Sequence, residues 1–221
     1  MRSKIGMPRK RLVRQSLFPY SVTARSNNRD WFEIPLEKCW KIFEQVIIET
    51  TEKYGFQTHC FVLMANHFHW LLSTPNENLD EGMRYFMTET SRRLARASKR
   101  INKIYGARYK PTMIELPEYY ANTVRYFYQN PVRAGVTKRV EDYQWSTCQR
   151  VSKIELVPKP AFEEFIPSSP VDRLDWFNTL PDSAFNDCMR KALRRREFKY
   201  PRHPLSKKMI DARIFLNRGP L

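Results

Sequence analysis

The segment Asn66-His67-Phe68-His69-Trp70 sets two imidazoles two residues apart. On a β-strand, residues i and i+2 share a face, so His67 and His69 project side by side while Phe68 points the other way, into a core. Two imidazoles on one face can supply two ligands to a divalent metal, but not a complete site. The alternative is a pair of half-buried histidines with ordinary hydrogen bonds. A second constellation lies downstream in Arg125-Tyr126-Phe127-Tyr128-Gln129-Asn130-Pro131. Tyr126 and Asn130 are four apart and fall on one helical stripe, which Tyr119 and Thr123 extend. The neighbouring stripe of Tyr120, Val124 and Phe127 is apolar and reads as the core face. That leaves Tyr126 free to face the histidines, and Asn130 able to offer an oxygen ligand. Pro131 disfavours the α conformation at Asn130, so the helix is expected to end or kink there. Among eleven tyrosines, a helical aromatic is more often packing than nucleophile. Only the coincidence with the paired histidines singles out Tyr126.

Stepping outward, the elements that must position these groups follow from periodicity and punctuation. Tyr20 to Arg25 alternates as a strand. Leu36, Trp40, Phe43 and Ile47 recur at helical spacing before Gly55, a natural C-cap. Phe56 to Met64 and His67 to Leu72 read as two strands of a hairpin broken at Ala65-Asn66. Asn78 with Glu81 at N3 predicts a capped helix carrying Met83, Phe86, Met87, Thr90 and Leu94. Tyr109 to Leu116 is strand-like, and Pro117 suits the first turn of a helix running toward Asn130. The order predicts an α+β, ferredoxin-like βαββαβ fold: an antiparallel sheet with helices on one face, plus an added tyrosine-bearing helix. Residues 1–16 read as a basic arm and 17–150 as the catalytic domain. Residues 151–221 read as a Pro-rich, loop-rich basic extension, in which Phe185, Met189 and Leu193 suggest one short helix.

Charge points to the partner. The 221 residues carry 39 Lys and Arg against 23 Asp and Glu, a formal net charge of +16 with pI about 9.9. Such an excess fits a polyanion, because each contact to a phosphate releases counterions. Three blocks carry it: Arg2, Lys4, Arg9, Lys10, Arg11 and Arg14; Arg92, Arg93, Arg96, Lys99, Arg100, Lys103, Arg108 and Lys110; and Arg190, Lys191, Arg194, Arg195, Arg196, Lys199 and Arg202. Their sum reads as an electrostatic track. No apolar run is long enough to span a bilayer and no signal peptide is evident, so no membrane role and a cytoplasmic, nucleoid-associated location are expected. Cys39, Cys60, Cys148 and Cys188 form no CxxC pair, which argues against a zinc module. His59 and His203 carry no pattern. Phe18, Tyr20 and Trp31 could stack on unpaired bases.

The sequence resembles the REP-associated tyrosine transposases, within the single-tyrosine HUH transposases. The likeness runs from about Tyr20 to about Arg150. It rests on Arg25-Ser26-Asn27-Asn28-Arg29, Asn66-His67-Phe68-His69, Arg108-Tyr109-Lys110, Tyr126 followed by Asn130-Pro131-Val132-Arg133-Ala134-Gly135, and Tyr143-Gln144-Trp145-Ser146. Two turn positions depart from the family pattern: Ala65 replaces the usual Pro, and Ser26 the usual Gly. The resemblance implies an enzyme that cleaves and rejoins single-stranded or hairpin DNA carrying a palindromic repeat. His67 and His69 would bind Mg²⁺ or Mn²⁺ with Asn130 as third ligand. Tyr126 would attack a phosphodiester, leaving a 5′-phosphotyrosine and a free 3′-hydroxyl. A free phenol has a pKa near ~10 and needs activation, which a nearby cation provides. Arg25, Arg108, Lys110 and Arg133 are the expected DNA contacts. Both a monomer and a homodimer that exchanges its tyrosine fit this family. The rival reading is a non-catalytic nucleic-acid-binding protein on the same fold.

Overall fold

The computed structural model describes residues 13–148 and 152–201. Most of the N-terminal basic arm (Arg2, Lys4, Arg9, Lys10 and Arg11), together with Arg202 and His203, lies outside the described residues.

Four strands, β1 (Tyr20–Arg25), β2 (Gln57–Met64), β3 (His67–Ser73) and β4 (Lys110–Met113), form one antiparallel sheet in the order β2-β3-β1-β4. With α1 (Leu36–Tyr54) and α2 (Leu79–Ser98) interposed, this is the ferredoxin-like arrangement expected from the sequence. Pairing register separates the two faces. Tyr20, Val22, Ala24, Phe61, Leu63, Phe68, Trp70 and Leu72 pack under α1 and α2 in one core. Cys60, Val62, Met64 and Leu71 belong to a second core, beneath α3 (Pro117–Tyr128). The sheet is therefore covered on both sides, which is why β2 is buried along nearly its whole length and reads as a continuous apolar run.

Local chemistry accounts for most boundaries. Gly55 closes α1 in the left-handed conformation (φ 69°), where a Cβ would be strained. Asn78 precedes α2, but its side chain makes no capping bond. Its amide instead donates to the Tyr54 carbonyl at 2.9 Å, so it ties the end of α1 to the start of α2. β4 is shorter than Tyr109 to Leu116. Ser26 sits at φ −57°, ψ 155°, a conformation open to any residue, so serine in place of glycine carries no backbone strain.

Gly82 is required by packing rather than by dihedral. A Cβ there would lie 2.2 Å from the ring tip of Phe56, itself buried in the core. Alanine would gain up to about 1 kcal/mol of helix propensity, but overpacking costs about 1–3 kcal/mol. Gly82→Ala is expected to lower stability by about 1–2 kcal/mol in urea titration; an unchanged or raised midpoint would contradict this packing account.

The chain beyond α3 is more ordered than a loop-rich tail. After α4 (Asn130–Arg133), residues 145–147 pair with the outer edge of β2 through Leu63 N–H to Trp145 O and Thr147 N–H to Phe61 O, both 2.9 Å. Further along, Val157 N–H donates to Thr58 O at 2.8 Å. Helices α5 (Pro160–Glu163), α6 (Pro170–Asn178) and α7 (Ser183–Ala192) follow. Finally Met113 N–H donates to Arg196 O and Phe198 N–H to Met113 O, capping β4 at the opposite edge. This path crosses the outer side of α3. Consequently α3 is buried nearly all round, including Tyr119, Thr123 and Arg125; the single apolar stripe expected from sequence is replaced by an enclosed helix. No described helix is long and apolar enough to cross a membrane.

His59 anchors this path. Its Nδ1 bonds the Val157 carbonyl at 2.7 Å and its Nε2 the Ser73 hydroxyl at 2.8 Å. Burial pushes its pKa down to about 4. The unfolded chain therefore binds this proton first, and stability present above pH ~6.5 is lost as pH falls toward 4. The full loss amounts to about 3 kcal/mol. The fall in Tm between pH 7 and 4.5 should be shallower in His59→Gln; an equal slope in the two proteins would contradict this assignment.

Candidate active site

β3 presents His67 and His69 on the α3 side of the sheet, opposite Phe68. Their ring centroids are 5.0 Å apart and nearly perpendicular, at 81°. Cross-strand pairing sets Arg25 beside His67 and Thr23 beside His69 on β1, with Lys110 paired to Thr23 on β4. His67 Nδ1 lies 2.7 Å from Asn66 Oδ1. An amide oxygen only accepts, so Nδ1 carries the proton and the Nε2 lone pair is left open. Asn66 is held in turn by its own N–H₂ donating to Arg29 O at 2.7 Å. Such an outer partner orients an imidazole for ligation. Burial, with Arg25 nearby, lowers the His67 pKa to about 4. Burial first, then His67, Arg133 and Arg25, holds His69 well below its ordinary value. Both rings are neutral near pH 7, as ligation requires.

From the other wall, α3 supplies Tyr126, and α4 starts at Asn130 after a break at Gln129 (φ −77°, ψ −9°). The break falls one residue before the position expected from Pro131, and Asn130 itself is helical as the first residue of α4. Phe127 bears on His69, centroid to centroid 4.7 Å, so α3 touches the histidine strand directly. A cleft of about 630 Å³ is lined by His67, His69, Tyr126 and Asn130 together. Its rim carries Arg25, Arg29, Arg108, Lys110, Arg190 and Arg194, and among the described residues no carboxylate lines it. Of the expected DNA contacts, Arg25, Arg108 and Lys110 are therefore in place. Arg133 is not on the lining. It lies behind, its guanidinium 3.8 Å from the Tyr126 ring centroid and donating to Asn130 Oδ1 at 2.8 Å.

The donor set can be tested against a cation. His67 and His69 fit: neutral, adjacent and, for His67, with the ligating nitrogen free. Asn130 Oδ1 already accepts from Arg133, so it can ligate through its second lone pair or once that contact opens. Among the described residues no cluster of three His, Cys, Asp or Glu exists, so no carboxylate completes the set. The buried polar atoms left unpartnered here are donors, Asn130 Nδ2 and Arg133 Nη1. They call for an acceptor, as phosphate oxygens are.

The sequence did not mark Asn66, Arg29, Arg190 or Arg194 as site residues. For Asn66 the available signal was adjacency to His67; for Arg190 and Arg194, their spacing of four residues across the end of a short helix. The basic blocks also divide. Arg92 and Arg93 pair with Glu89 and Glu49, Arg100 with Asp30 and Glu33, and Arg14 with Asp80, so charge density alone overstated the track. Tyr20 is fully buried, with its hydroxyl bonded to Val13 O, and Phe18 packs against Phe162. Of the three candidate stacking rings only Trp31, 74% exposed, remains open.

Comparison with known proteins gives a consistent result. Residues 20–130 match the family described as IS200-like transposases. A Haemophilus influenzae protein named as a REP-associated tyrosine transposase is 27% identical over 128 residues, spanning 53% of this chain and 73% of that protein. A solved structure of a REP-associated tyrosine transposase bound to a REP hairpin aligns with TM-score 0.54 at 22% identity, covering 64% of this chain and 82% of that one. At that identity the likeness concerns the fold.

Proposed function

Because the chain belongs to the IS200-like transposases, a family of DNA-processing enzymes, we propose that it cleaves and rejoins single-stranded or hairpin DNA through a covalent Tyr126 intermediate. The observation that carries this is the meeting of His67, His69, Tyr126 and Asn130 in one cation-rimmed, carboxylate-free cleft. The likeness to a hairpin-bound relative supports a folded-back strand as substrate.

In this reading the Tyr126 oxygen attacks a backbone phosphorus. The P–O bond to the 3′ oxygen breaks, that oxygen takes a proton, and the phosphate remains on the tyrosine as a 5′ ester. Reversal by an incoming 3′-hydroxyl rejoins a strand with no external energy source, because the ester conserves the bond. Arg133 lies over the Tyr126 ring, its guanidinium 3.8 Å from the centroid, and holds that ring in the cleft. Arg25, Arg108 and Lys110 hold the phosphate backbone. Asn130 Nδ2 and Arg133 Nη1 have the free donors to meet a phosphate oxygen. Mg²⁺ or Mn²⁺ held by His67 and His69, with Asn130 as third ligand, would polarise the scissile phosphate. Tyr126 lines the same cleft as the histidines of its own chain, so it acts in cis and a monomer suffices.

The test is incubation with hairpin-bearing single-stranded DNA and Mn²⁺, followed by denaturing electrophoresis. A covalent protein–DNA adduct should form and be abolished by a chelator. Tight hairpin binding with no adduct under Mg²⁺ or Mn²⁺ would instead favour the non-catalytic reading.

A further inference from the structure

We infer that the end of α7 and the turn after it form a second phosphate-binding wall of the cleft, through Arg190 on the helix and Arg194 in the turn, which engages the single-stranded DNA flanking the hairpin. This rests on the function proposed above and extends it to residues outside the family match at 20–130.

α7 is amphipathic. Phe185, Cys188, Met189 and Ala192 are buried, with Met189 Sδ 3.6 Å from the Tyr200 hydroxyl. Tyr200 also accepts from Asn122 of α3 at 2.9 Å. The end of the helix is stapled to the sheet, because the Thr112 hydroxyl contacts Leu193 O at 3.0 Å and Arg195 O at 2.7 Å. Thr112 is two residues from Lys110 on β4 and so shares its face. The staple places Arg190, in the last turn of α7, and Arg194, in the turn that follows, on the cleft lining with His67, His69 and Tyr126.

A basic residue at a helix C-terminus is ordinarily explained by the helix dipole. Two observations go beyond that. Leu193 and Arg194, past the last turn of the helix, still line the cleft. Among the described residues the lining also contains no carboxylate to neutralise six cations, although Arg190 itself has an exposed partner in Asp187 at 2.9 Å. Like charges gathered around one cavity repel, and a phosphodiester backbone is the ligand that offsets this. Arg25, Arg29, Arg108 and Lys110 already serve the β1–β4 side, so the α7 pair contacts a strand phosphate on the far side of the scissile group.

The experiment compares full-length protein with Arg190→Gln/Arg194→Gln and with a charge-matched control, Lys38→Gln/Arg84→Gln, whose exposed residues lie on α1 and α2 beyond the opposite face of the sheet. Fluorescence anisotropy is read on a hairpin with single-stranded flanks and on the same hairpin without them, over a salt series. The α7 variant should bind the flanked hairpin roughly tenfold more weakly, with a salt slope lower by about 1–2, and bind the bare hairpin like wild type. Equal affinity and slope for variant and wild type would overturn the inference. So would an equal loss in the control, or an equal loss on both DNAs. If wild-type protein binds neither DNA, the proposed function itself has failed.

Discussion

Tyr126→Phe should form no covalent adduct while binding hairpin DNA as wild type does. The substitution removes one oxygen and keeps the ring. The ring's neighbours, the Arg133 guanidinium at 3.8 Å and Phe127 at 6.5 Å between centroids, do not depend on the hydroxyl, and no cavity opens. Stability should therefore stay within about 0.5 kcal/mol. The rate of strand cleavage should fall at least about 10³-fold, since a nucleophile has no partial substitute on the same turn. Adduct in the variant at the wild-type level would remove Tyr126 from the mechanism. Adduct that disappears together with DNA binding would show that the ring, not the oxygen, matters.

The second large effect belongs to His69. His69→Ala should reduce cleavage on the order of 10³-fold, the scale of several kcal/mol of transition-state stabilisation expected of a metal-ligating group. The imidazole packs against Phe127 at 4.7 Å, so some stability is lost as well, and melting curves must accompany the rates. Asn66→Ala separates ligation from folding. It leaves both imidazoles present but frees the His67 ring, so the Mn²⁺ concentration for half-maximal cleavage should rise about 10–100-fold, with the maximal rate recovered at saturation. Were His69→Ala to cleave normally at low Mn²⁺, the paired histidines would have no part in metal binding.

Much of this was legible in the residues. Strand alternation put Phe68 and its flanking histidines on opposite faces, and Pro131 marked the break before Asn130. Gly55 marked the end of α1. What escaped had a common cause: it depended on contacts between segments distant in sequence. The Asn78 side chain reads as a cap because its neighbours suit one, yet its amide N–H is oriented to the Tyr54 carbonyl and its oxygen makes no bond to α2. Arg133 reads only as a basic residue near the site, yet its guanidinium lies over the Tyr126 ring and donates to Asn130 Oδ1. The α3 periodicity suggested one apolar face because no local rule reveals that α6 supplies a second covering. There Gln129 donates to Phe177 O at 2.7 Å and Thr179 O at 3.0 Å, and Arg125 stacks on Trp176 at 5.0 Å. Arg190 and Arg194 were visible as charge, but only the Thr112 staple says which cavity they face.

The route of residues 145–148 and 152–198 across α3 also orders events during synthesis. The histidine hairpin and the tyrosine helix leave the ribosome well before the segments that cover them. Until those arrive, Tyr119 lacks its partners Phe198 and Tyr200, Tyr128 lacks Phe177, and β4 presents a bare edge to any passing strand. A nascent chain in that interval is an aggregation-prone species. Slow translation between α3 and α7 should accordingly cost yield of folded protein, and a chaperone that shields aromatic surface should restore it.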